Sequence, residues 1–111
     1  MKFIMFTKHL EGQDVPQLIE TLKFVGVQGA DLCVRPGYPV NPDNAPTALP
    51  AAAKQFAQEG LVIPLVTTPG DFTRPDLDYA ERLYGACGEA GVGHIKLGYW
   101  HWTPGHDYWT Y

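Results

Sequence analysis

Leu61-Val62-Ile63-Pro64-Leu65-Val66-Thr67 is the clearest strand in the chain, and its one anomaly decides what sheet it can enter. Pro64 has no N–H to give to a ladder, so the strand must lie at a sheet edge or carry a bulge. An edge suits an incomplete open sheet, and a bulge suits a barrel strand with a local irregularity.

Outward from that strand, apolar runs and amphipathic stretches alternate in both directions. Phe3 to Thr7 is a short apolar run of the kind that parallel strands, buried on both faces, display. Asp14 is placed to cap a helix, with Gln17 three residues on to complete a capping box and Pro16 tolerated in the first turn. Leu18, Ile19, Leu22 and Val25 fall on one face of that helix, and Gly26 ends it. Gly29 to Arg35 then reads as a strand in which Leu32 and Val34 face a helix layer while Asp31, Cys33 and Arg35 face the other way. Residues 36 to 50 hold five prolines and two asparagines, which predicts an ordered loop with a helical turn near Asn44-Ala45-Pro46. The helix proper is expected to open at Pro50 and to run through Ala53, Phe56 and Ala57 to Gly60. Beyond the central strand, Thr73-Arg74-Pro75-Asp76 is expected to open a third helix with Leu77, Ala80, Leu83, Tyr84 and Cys87 on its apolar stripe. That helix ends at Gly91, and His94 to Tyr99 forms the fourth strand.

Strict strand and helix alternation signals a parallel sheet with right-handed crossovers, which a Rossmann-type sheet and a β/α barrel both satisfy. The turn after the first strand, Thr7 to Asp14, holds neither GxGxxG nor GxxxxGK[ST], so no nucleotide phosphate cradle is visible and the barrel gains weight. A closed barrel needs about 250 residues, whereas the chain has 111. The fold expected is α/β, a (β/α) half-barrel of order β-α-β-α-β-α-β with parallel strands. The domain covers residues 1–111 and ends at the start of a fourth helix, capped by Asp107.

Hydrophobic residues make up 45% and charged residues 18% of the chain, a balance that describes a packed core rather than disorder. The net charge of −4 comes without any Lys/Arg run, which argues against nucleic acid and anionic lipid as partners. Cys33 and Cys87 have no CxxC spacing and are expected to be buried free thiols. The apolar N-terminal run stops at Thr7-Lys8-His9, too short for a signal peptide, and no stretch has transmembrane length. A cytoplasmic protein is expected.

In a barrel the chemistry sits at the C-terminal ends of the strands. Those positions are Lys8 and His9, then Arg35 with the proline-rich loop, then Thr67 to Asp71, then Tyr99 to Trp102. Cations, hydroxyls and flat rings suit a polyhydroxylated or carbonyl-bearing small molecule. His101, His106 and Asp107 come nearest to a metal site, but their spacing fits no regular face and no further ligand is evident. Asp31 and Lys96 could pair inside the barrel. Six aromatics stand among the last fourteen residues, open to sugar stacking or to ordinary packing.

FTKHL after the first strand, GADLCVRPGYPVNPDNAP around the second, LVIPLVTTPGDF around the third and AGVGHIKLGYW at the fourth together resemble the N-terminal half of xylose-isomerase-like TIM barrels. The resemblance spans nearly the whole chain and implies a sugar or sugar-phosphate isomerase or epimerase. In such enzymes a divalent metal (Mn, Mg or Zn) polarises substrate oxygens while acidic residues move protons. The family's metal ligands come chiefly from the second half of the barrel, so none maps onto this chain. What the resemblance implies here is a substrate-lining role for His9, Arg35, Thr68 and Trp100, in a piece inactive by itself. Two alternatives stand beside it. One is a homo-oligomer formed through exposed sheet edges, with a binding or assembly role. The other is the endonuclease branch of the same superfamily, against which the acidic balance argues.

Overall fold

The computed structural model describes residues 1–107 and 109. Its elements in chain order are β1 (Ile4–Phe6), a single 3-10 turn (Lys8–Leu10), α1 (Val15–Val25), β2 (Gly29–Cys33), α2 (Ala45–Gln58), β3 (Val62–Thr67), α3 (Ala80–Ala90) and β4 (His94–Lys96). The strands form one parallel sheet in the order β1-β2-β3-β4. This is an α/β fold with three helices, the arrangement of half a β/α barrel. Among the described residues no helix is long and apolar enough to cross a membrane.

Pro64 is accommodated by a bulge, not by an edge. Gly29 pairs with Val62 and Asp31 with Leu65, so two steps along β2 match three along β3. The extra residue lets a donorless proline sit in an interior strand. The same irregularity brings the backbones so close that a Cβ on Gly29 would lie 2.1 Å from the Val62 carbonyl oxygen.

The helices owe their ends to local chemistry, and two of them begin elsewhere than the sequence suggests. For α1 the capping box forms as expected: Asp14 accepts from the Gln17 N–H, Gln17 accepts from the Asp14 N–H, and Gly26 closes the helix in the left-handed region. Leu18, Ile19 and Leu22 are buried, whereas Val25 points to solvent. The predicted turn at Asn44 and the predicted helix at Pro50 are one helix, α2. Asn41 and Asn44 each accept the other's backbone N–H through the side-chain amide oxygen, which fixes the turn that leads into the helix, and Pro50 lies inside the helix. The third helix opens at Ala80, later than the expected start at Thr73 to Asp76. Thr73 turns its hydroxyl back to the Asp71 carbonyl, and Tyr79 folds onto Phe72 with ring centroids 5.4 Å apart. Both contacts keep residues 73–79 out of the helix. The fourth helix expected after Asp107 falls on residues 108, 110 and 111, outside the described residues.

One apolar core lies between the sheet and the helices. Leu32 and Val66, register neighbours, share it with Leu22, Phe56 and Leu83 from the three helices. The opposite face carries no helix. Across it run Phe6, Asp31, Leu65 and His94 in one row and Cys33, Thr67 and Lys96 in the next. Both cysteines are buried free thiols.

Candidate functional site

Each junction between neighbouring strands is tied near its C-terminal end by a threonine hydroxyl. Thr7 Oγ1 accepts from the Cys33 N–H at 2.9 Å, joining β1 to β2. Thr67 Oγ1 donates to Asp31 Oδ1 at 2.7 Å, joining β3 to β2. Thr68 Oγ1 donates to the Lys96 carbonyl at 2.8 Å, joining β3 to β4. All three threonines are buried. A β-branched residue that also hydrogen-bonds is well suited to a strand end, where ladder partners run out.

Arg35 is anchored on this rim. Its Nε donates to the Thr68 carbonyl at 3.0 Å, so one guanidinium edge is fixed across β2 and β3, with Thr68 itself held by β4. Two of the four residues assigned to substrate from the sequence, Arg35 and Thr68, are thus in direct contact. His9 is exposed on the 3-10 turn, which the Tyr38 hydroxyl joins to the loop after Arg35 by donating to the Lys8 carbonyl. Trp100 is 53% exposed, and among the described residues no hydrogen bond or ring contact joins it to the other three.

Beneath the rim, burial pushes the Cys33 thiol up in pKa, against the opposing pull of Arg35 and the Tyr38 hydroxyl. Tyr38 is itself raised, by desolvation first and Cys33 second. A neutral thiol wedged beside a guanidinium is a packing group, not an activated nucleophile. Asp31 takes its hydrogen bond from Thr67, while Lys96 stands over the Phe6 ring; the expected Asp31–Lys96 pairing is not formed. The hydroxyl lies within hydrogen-bond reach of the carboxylate, and the ammonium keeps its solvent.

Near the tail, Trp102 Nε1 donates to the His106 carbonyl at 3.2 Å, and Asp107 accepts from the Trp109 N–H. Among the described residues no three His, Cys, Asp or Glu side chains converge as metal ligands.

A cavity of about 600 Å³ opens at the other end of the sheet, where Ile4, Val62 and Pro64 meet Ala57 and Gly91 with Lys2 as its one charge. It lies at the N-terminal ends of the strands, the end that serves stability in a barrel. We take the rim as the candidate site because polar groups converge there. Thr67 was placed among the strand-end positions from the sequence but given no role, and Thr7 was not singled out, although a threonine closing each of these strands is a readable sign.

No family model, curated protein or solved structure matches the chain, so its function is argued from the rim.

Proposed function

We propose that the chain supplies the substrate-holding half of a sugar or sugar-phosphate isomerase or epimerase. The observation that carries this reading is Arg35, braced on Thr68 across the ends of three strands. A guanidinium already fixed on one side loses little entropy when its remaining N–H groups take a phosphate or carboxylate. His9 and Trp100, exposed on flanking segments, would then offer a hydrogen bond and a stacking face to the hydroxylated remainder.

Isomerisation between adjacent carbons needs a carboxylate to move the proton and, in the enzymes this chain resembles, a metal to polarise the oxygens. In the enzymes this chain resembles the metal ligands come chiefly from the second half of the barrel, so the part proposed for this chain is binding and orientation, and turnover by the 111-residue chain is not expected.

The test is a titration with ribose 5-phosphate, ribose and inorganic phosphate, followed by amide and Arg Nε–H shifts. Shifts at Arg35 and its neighbours with the sugar phosphate, strongest of the three, support the reading. Shifts confined to the cavity at the N-terminal strand ends, or turnover with added Mn²⁺, overturn it.

A further inference from the structure

We infer that two copies of this chain close edge to edge into one eight-stranded parallel barrel, β4 of each pairing with β1 of the other. The inference stands apart from the function proposed above: it concerns this chain in the absence of a complementary half, and its test reads mass and backbone protection and needs no ligand.

The two outer strands present unpaired backbone in complementary senses. Thr7 N–H and Phe3 C=O bond across to β2, so alternation along a parallel strand turns the peptide groups of Ile4 and Phe6 to the open side. On the far edge Lys96 C=O accepts from Thr68, which leaves the Ile95 peptide groups pointing outward. A first edge and a last edge of one parallel sheet fit each other, not themselves. Two copies related by a two-fold axis along the strands use both edges twice and leave none open.

Strand number and face chemistry point the same way. Two sheets of four give eight, the count at which side chains fill a barrel interior. Parallel sheets are normally covered on both faces, and here the helix-free face carries half-buried Phe6 and Leu65 beside the acid Asp31 and the bases His94 and Lys96. Closure would bring groups of both signs from each copy into one interior.

The rival surface is on the helix side, where Phe24 is 92% and Phe3 63% exposed. The experiment measures solution mass by light scattering and amide hydrogen exchange on the same sample. Twice 12.3 kDa, with the Ile4, Phe6 and Ile95 amides exchanging at least about 100-fold slower than open chain, is the expected result. A 12.3 kDa monomer overturns the inference. So does a dimer whose three edge amides exchange at open-chain rates, or one that Phe24→Glu dissociates.

Discussion

The ammonium of Lys96 stands 5.4 Å from the ring centroid of Phe6, although β4 and β1 are opposite edges of the sheet. Both side chains therefore lean over the helix-free face, above the row that holds Asp31 and Leu65. A cation over an aromatic face at a solvent-accessible position is worth about 0.5–1 kcal/mol. Lys96→Met keeps the aliphatic stem and removes the charge, so it should lower stability by about that amount. In a Phe6→Leu background the same change should cost nothing. Urea midpoints for the four proteins of this cycle check the coupling, and equal losses in both backgrounds would show that ring and ammonium do not interact.

Thr67 and Thr68 look interchangeable in sequence but hold different partners. Thr67 donates to a carboxylate that is 9% exposed, and Thr68 to a carbonyl that also accepts from the Thr68 N–H. Thr67→Val leaves Asp31 without that hydrogen bond and should cost about 2–3 kcal/mol, whereas Thr68→Val should cost about 1 kcal/mol. Chemical denaturation of the two variants measures the difference. Equal losses would contradict the distinction between a charged and an already satisfied acceptor.

What was legible in the sequence was what local chemistry decides. Asp14 and Gln17 announce α1 because a capping box is complete within four residues, and Gly91 announces the end of α3 because a left-handed terminus favours glycine. Pro64 forced a choice between edge and bulge that only pairing partners could resolve. Pro50 misled because a first-turn proline is the common case: the helical turn near Asn44-Ala45-Pro46 was readable, but not that it runs through Pro50 into one helix. The start of α3 depends on Tyr79 reaching Phe72 and Asp71, a tertiary contact that no spacing rule contains. At the rim, Arg35 was readable as a strand-end cation, but its support by Thr68 and the ties made by Thr7 and Thr67 are contacts across strands.

Gly29 and Gly98 stand where an added Cβ would meet backbone, unlike the exposed glycines inside α3. A Cβ on Gly29 would meet the Val62 carbonyl oxygen at 2.1 Å, inside the bulge where β3 cannot retreat without breaking its register with β2. Gly29→Ala should therefore cost more than about 3 kcal/mol or abolish folding. Gly85 and Gly88 lie exposed within α3 with nothing within 4 Å of an added Cβ. Replacing either by Ala should stabilise by about 0.5–1 kcal/mol through backbone entropy. Thermal melts of the three variants test both directions, and a destabilised Gly85→Ala would mean that α3 is not helical there.

Cys87 gives the chain an alkaline limit. Burial in the helix core raises its thiol from 9.0 to about 11, so the folded protein holds that proton more tightly than the unfolded chain does. Its contribution to stability is complete below pH 9 and is lost as pH rises from 9 towards 11, where the unfolded state ionises first. Two pKa units correspond to about 2.7 kcal/mol at most. Tyr79, pushed up to about 12 by desolvation and then by its hydrogen bond to Asp71, acts with the same sign but begins to act about one unit higher, from its ordinary value near 10. Cys87→Ala separates the two, because it leaves the tyrosine in place while removing the thiol. Denaturation at pH 8 and pH 10.5 should show wild type losing about 1–2 kcal/mol more than the variant between the two conditions. Parallel losses would place the alkaline sensitivity elsewhere, on Tyr79 or on Cys33.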